Sequence, residues 1–271
     1  MKLLVQGDDF GFTRAVTLGI VDSIDKGILR NTGLFMNMPA TEFAVSFIKD
    51  RPHACFGIDF NIVSGCPVCN PNEVPSLVND KGEFIRSGDR IKDSRFISEE
   101  GRREMFPYDE MYREIRAQYD KYVELVGCKP GYLHGHSLLH EHYAEAIIQV
   151  SKETGVPYSQ IIRDEYNFGG LMKITPEMFK VGNIKKEFNP VDQLNKNTTK
   201  NILDNSEMLL ASEYVMIGGH PGYIDDELLS LTTLSLERCK DAAMCMSPEI
   251  KKWIDDNGIE LITYYDLYER D

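Results

Sequence analysis

Leu3-Leu4-Val5-Gln6-Gly7-Asp8-Asp9-Phe10-Gly11 is a short apolar run that ends on two adjacent carboxylates. Leu3 to Gln6 is too brief for a helix and too apolar for a surface loop, so it reads as a buried strand. The next apolar stretch, Ala15 to Asp25, has helical spacing, with Thr13 as its N-cap and Gly27 as its stop. A buried strand followed at once by an amphipathic helix is the unit from which parallel sheets are built.

The same alternation continues along the chain. Thr32 to Asn37, Cys55 to Ile62, Gly131 to His136, Tyr158 to Arg163, Tyr214 to Gly218 and Ile259 to Thr263 read as further strands. Helical patterns fall at Thr41 to Lys49, Tyr108 to Val126, His142 to Glu153, Leu229 to Ala242 and Pro248 to Asn257. Val63 to Phe106 is rich in Gly, Pro, Asn, Asp and Ser and is too long for an ordinary connection. Asp164 to Asn205 is expected to hold one or two short helices around a substrate loop. This pattern predicts about seven parallel strands in one α/β domain over residues 1–271, a closed or nearly closed β/α barrel.

In such a barrel the chemistry lies at the carboxyl ends of the strands. Asp8 and Asp9 follow the first strand, Asp59 and Asn61 lie in the third, and His134 and His136 end the fourth. Arg163 ends the fifth, and His220 follows the sixth. Taken singly, Asp8-Asp9 would also serve as a helix cap pair and His134-Gly135-His136 as polar lining. Adjacent carboxylates after a buried strand need compensation, and a divalent cation supplies it. Asp and His ligands with an open position suit hydrolysis, the ion acidifying water and polarising a carbonyl. A second carboxylate can take the water proton and a histidine across the site can protonate the leaving group.

Composition narrows the partners. The chain carries 30 Lys and Arg against 43 Asp and Glu, a formal net charge of -13, which argues against nucleic acid. No stretch approaches the length of a membrane span, and the first residues are too short an apolar run for a signal peptide. A cytoplasmic location is expected. The 6 cysteines then read as reduced thiols. Cys66-Pro67-Val68-Cys69 has metal-like or redox-like spacing without the second ligand pair or the following helix such sites want.

Several motifs resemble the YdjC-like carbohydrate deacetylase family over nearly the whole chain. Gly7-Asp8-Asp9-Phe10-Gly11 with Gly19-Ile20, Asn37-Met38-Pro39-Ala40, and Gly57-Ile58-Asp59-Phe60-Asn61 with Gly65 and Pro67 carry its first half. Pro75-Ser76-Leu77-Val78 with Gly82, Glu114 with Gln118, and Gly131-Tyr132-Leu133-His134-Gly135-His136 follow. His220-Pro221-Gly222-Tyr223 and Leu261-Ile262-Thr263-Tyr264 complete the series.

The resemblance implies a distorted TIM-like barrel that removes acetyl groups from N-acetylated sugars of the chitooligosaccharide type. Mg²⁺ would be its cofactor, with Zn²⁺ or Mn²⁺ as alternatives. By position, Asp8 would be the general base, Asp9 and His136 metal ligands and His220 the general acid, with Arg163 orienting a carboxylate or the substrate.

Two departures stand out. The family's histidine ligand in the third-strand motif is Asp59 here, and its aspartate two residues before the second histidine ligand is His134. If both side chains enter one pocket, the pair exchanges places and Asp59 and His134 join the ligand set. A carboxylate at that position favours Mg²⁺ or Mn²⁺ over zinc. Thr17, where the family has Asn, is expected to alter hydrogen bonds at the rim. The expected partner is a small carbohydrate, and the size class suggests a homodimer. Competing readings are a sugar-phosphate or other phosphoester hydrolase on the same barrel, and a homologue that binds a sugar or partner protein without turnover.

Overall fold

A computed structural model describes residues 1–171 and 189–269. Among the described residues the sheet has seven strands: β1 (Lys2–Phe10), β2 (Asn31–Leu34), β3 (Cys55–Phe60), β4 (Leu133–Gly135), β5 (Gly169–Gly170), β6 (Tyr214–Gly219) and β7 (Glu260–Ile262). All pairings are parallel, in the order β4-β3-β2-β1-β6-β5, with β7 also on β1. Every residue of β3 is buried, as a parallel strand covered on both faces requires. The sheet curls into a half-barrel flanked by helices. Among the described residues β4 and β5 remain its two edges, and a bridge between Leu133 and Tyr158 is the step toward closure beyond β4.

One edge of β1 is shared. Lys2 to Leu4 pair with β7, whereas Gln6 to Phe10 pair with β2. Asn31 sits in the fork: its amide donates to the carbonyls of Val5 and Ile262, and its side-chain oxygen accepts from the Tyr264 N–H. Backbone groups that a split ladder would orphan are thereby satisfied.

Further along, the β1–β2 register slips. Gly7 faces Thr32 and Phe10 faces Leu34, so three steps on β1 match two on β2. This β-bulge contains Asp8 and Asp9, and Asp9 takes a left-handed backbone with φ 73. Successive residues of a regular strand point to opposite faces, and a bulge re-aims one of them.

The helices follow local signals closely. Thr13 caps Arg14–Asp25, its hydroxyl accepting from the Val16 N–H. Tyr108–Val126 buries Met111, Ile115, Tyr119 and Tyr122 and ends at Gly127 with φ 79. Thr17 is fully buried, and its hydroxyl bonds the Thr13 carbonyl within its own helix instead of reaching the rim.

Three expectations need correction. Tyr158 to Arg163 is not a strand, because after Tyr158 the chain forms the helix Ser159–Glu165, which carries Arg163. Ser159 and Ile162 are its buried positions, a helical spacing, and the fifth strand is the later Gly169–Gly170. Leu229 to Ala242 is two helices, Asp226–Leu231 and Leu236–Cys245, parted where the Thr232 hydroxyl takes the Leu234 N–H. Val63 to Phe106 is not an open loop: it contains the short helices Ser87–Lys92 and Glu99–Met105, and Val74, Leu77, Phe84, Phe96 and Phe106 join the core. In the Asp164 to Asn205 region the short helices Pro190–Asn195 and Thr198–Asp204 form, while residues 172–188 of the expected substrate loop lie outside the described residues.

Candidate metal and catalytic site

The bulge in β1 brings Asp9 to the mouth of the half-barrel, where β3 and β4 deliver Asp59 and His136. One ligand atom from each of these three lies within 4.8 Å of the others. Asp9 and Asp59 are fully buried. The Asp9 N–H donates to Asp59 Oδ2 at 3.1 Å, which helps hold the left-handed turn and fixes one Asp59 oxygen. Room for Asp59 comes from β2, where a Cβ on Gly33 would meet the Asp59 Cβ at 2.8 Å.

The remaining oxygens are informative. Asp59 Oδ1 is buried without a hydrogen-bond partner. Asp9 Oδ1 lies 2.9 Å from His136 Nδ1, an ion-pair contact. Buried carboxylate oxygens left unbonded are costly. The Asp59 carboxylate, the Asp9 carboxylate and the His136 imidazole form an oxygen-rich donor set that fits a divalent cation. Burial acts to raise the Asp9 carboxyl, but His136 and Arg238 outweigh it and hold it well below the ordinary range. Asp59 goes the other way: burial and the charges of Asp8 and Asp9 push it well above that range.

His136 is oriented by its surroundings. Its N–H donates to the Phe60 carbonyl at 2.9 Å, and its ring meets Phe35 edge-on at 4.8 Å. Beside the three-residue group lies Asp8, with Oδ1 accepting from Gln6 Nε2 at 2.7 Å. His134 Nε2 is 4.0 Å from Asp8 Oδ2, and Nδ1 is 2.8 Å from the Ser159 hydroxyl. Burial pushes His134 down to about 4, so it is neutral at neutral pH.

The structure therefore brings Asp9, Asp59 and His136 together and turns His134 toward Asp8 and Ser159, apart from that group. His220 follows β6, whose Gly219 is the register partner of Gly7, and it is near enough for its charge to act on Asp9. Arg163, on its helix, has Nη1 3.0 Å from Met216 Sδ and Nη2 2.8 Å from Gln160. Its Nε is buried and unbonded.

Other singled-out residues have structural work. Glu114 accepts the backbone N–H groups of Val68 and Cys69, and Gln118 links it to Asn61. Burial and Glu114 push the Cys69 thiol up to about 12, and both Cys66 and Cys69 are free. His140 is buried, stacked on Phe106 with ring centres 4.0 Å apart.

Two residues at the site escaped the sequence reading. Arg238 Nη2 bonds Asp9 Oδ2 at 2.6 Å with both side chains buried. Asp241 accepts the His220 N–H at 3.0 Å, Lys196 Nζ at 2.9 Å and the Thr198 hydroxyl at 2.9 Å. Both lie on Leu236–Cys245, sharing a buried face with Ala242 and Cys245. Charges where the helical stripe asks for apolar residues were the available signal.

No helix among the described residues is long and apolar enough to cross a membrane. A family model described as YdjC-like protein matches residues 2–256. A Listeria innocua relative named carbohydrate deacetylase 2 is 32% identical over 98% of this chain and 99% of its own length. A Clostridium beijerinckii relative named carbohydrate deacetylase is 27% identical over 98% of this chain and 100% of its own. The crystal structure of a candidate cellobiose-phosphate cleavage protein from Enterococcus faecalis superposes with a TM-score of 0.76 at 21% identity over 99% of both chains, a likeness of fold. With the family model spanning nearly all of the chain and these relatives aligned end to end, the chain belongs to the YdjC-like family.

Proposed function

We propose that this chain is a carbohydrate deacetylase that hydrolyses the N-acetyl group of an amino sugar with a divalent cation held by Asp9, Asp59 and His136. The observation that carries this reading is the convergence of one ligand atom each from the buried carboxylates Asp9 and Asp59 and from the His136 imidazole within 4.8 Å. The names borne by its relatives point to the same chemistry.

When bound, the cation polarises the acetyl carbonyl and makes water acidic enough to be used at neutral pH. Asp8 is the base that accepts the water proton, steadied by Gln6. His220 stands across the site and delivers a proton to the departing sugar amine, on a turn fixed by Asp241. Neutral His134 flanks Asp8 and completes the polar wall as an outer neighbour of the ligand group rather than one of its members. Arg163 orients the substrate, and the oxygen-rich ligand set favours Mg²⁺ or Mn²⁺ over Zn²⁺.

The test is acetate release from N-acetylated chitooligosaccharides before and after chelation, with Mg²⁺, Mn²⁺ or Zn²⁺ restored singly. Acetate that appears only with a divalent ion supports the reading. Phosphate release from a sugar phosphate without acetate release would replace it with a phosphoester hydrolase, and sugar binding without either product with a non-catalytic homologue.

A further inference from the structure

Arg238 is only 1% exposed, and burying a guanidinium is expensive. Replacing a buried ion pair by apolar side chains is often neutral or stabilising, so stability alone is a weak reason for it. Its placement is specific. Nη2 takes Asp9 Oδ2 at 2.6 Å, Nε takes the Leu234 carbonyl at 2.8 Å, and the guanidinium lies 5.5 Å from the Phe12 ring centre. The head group is anchored on two sides and cannot follow Asp9 if Asp9 turns. Oδ2 is thus spoken for, and Oδ1 is the oxygen directed toward His136.

The Arg238 backbone also reaches the other half of the site. Its carbonyl accepts the Gly222 N–H at 3.2 Å, on the turn that carries His220. Three residues later Asp241 takes the His220 N–H itself. One helix, Leu236–Cys245, therefore grips the carboxylate on β1 and the histidine after β6.

We infer that Arg238 is a positioning residue that blocks one oxygen of Asp9, presents the other alone to the cation, and sets its register against His220. The inference rests on the metal reading of Asp9, Asp59 and His136. It goes beyond that reading in assigning a role outside the ligand group.

Co²⁺ is the probe, because its visible absorption reports coordination number and geometry. The chelated protein, Arg238→Met and Arg238→Lys are titrated with Co²⁺ by calorimetry and absorption, with melting followed in parallel. Arg238→Met frees Asp9 Oδ2, so its Co²⁺ band should change in position or intensity, and kcat should fall about 10- to 100-fold, the usual cost of losing a partner of a metal ligand. Arg238→Lys keeps the charge but loses the planar fork. It should remain folded, still shift the band and lose about tenfold in kcat.

An unshifted band with wild-type kcat in a folded variant, whatever its melting temperature, would overturn the inference and leave the metal reading standing. If Arg238→Met does not fold, Arg238→Lys decides by the same two readouts. Failure of the unmodified protein to bind Co²⁺ would overturn the metal reading, and the inference with it.

Discussion

Asp59 on β3 and His134 on β4 are register partners, directly across the ladder from each other. The two do different things, since Asp59 joins Asp9 and His136 while His134 faces Asp8 and Ser159. An imidazole at position 59 would exchange an oxygen ligand for a nitrogen one. Asp59→His should raise the preference for Zn²⁺ over Mg²⁺ by about tenfold or more. Competition calorimetry measures the ratio, and an unchanged value would remove Asp59 from the ligand set.

Asp9→Asn takes away a proposed ligand and leaves the Arg238 guanidinium buried without its anion. Uptake of divalent cation should disappear, and stability should fall by about 3–5 kcal/mol, the cost of breaking a buried pair on one side. Urea unfolding together with calorimetry reads both. Full cation binding in this variant would move the metal site elsewhere.

Gly19 lies on the first helix where it presses on the turn after His220, and a Cβ there would sit 2.6 Å from the backbone of Gly222. Backbone cannot swing aside as a side chain does. Gly19→Ala should cost about 1–3 kcal/mol by overpacking and also lower kcat, because the turn carrying the proposed acid must shift. Gly127→Ala is the control. Its φ of +79 costs about 1 kcal/mol, but nothing lies within 4 Å, so kcat should hold. Equal kcat in both variants would argue against a role for the turn.

His140 gives a pH dependence with a definite sign. Burial pushes it from 6.5 down to about 3, so the native protein keeps it neutral while the unfolded chain takes up a proton below 6.5. Stability from this group is fully present above pH 6.5 and is lost as pH falls toward about 3, at up to about 1.4 kcal/mol per pH unit. His140→Asn can still accept the Tyr143 N–H at the helix start but cannot titrate. Urea midpoints at pH 7 and pH 5 should differ less in the variant than in the parent. Identical differences would place the acid sensitivity in other groups.

The sequence was most legible where the controlling interactions are local. Tyr108–Val126 was expected at its observed bounds because its apolar spacing and the Gly127 stop sit in the segment itself. The fifth strand was misplaced for the same reason in reverse. Ile161-Ile162 has β-branched character, yet helical burial takes it, whereas Gly169–Gly170 offers no side-chain pattern and becomes a strand through β6. At the site, Asp9, Asp59 and His136 could be gathered from the rule that strand ends converge. Arg238 could not, because its partner is 229 positions away and only the packing of its helix brings them together.

The slip between Gly7 and Phe10 has a bearing on attempts to improve this protein. Shortening that span by one residue would regularise the ladder and remove the left-handed backbone at Asp9, which looks like a repair. Only Asp8 and Asp9 stand between those two anchors, so the residue lost would be one of the two neighbouring acids, and strict up-and-down alternation would fix the facing of the one left. A stabilisation campaign guided by backbone regularity alone would thus select for a sturdier molecule that has discarded one of its two adjacent acids.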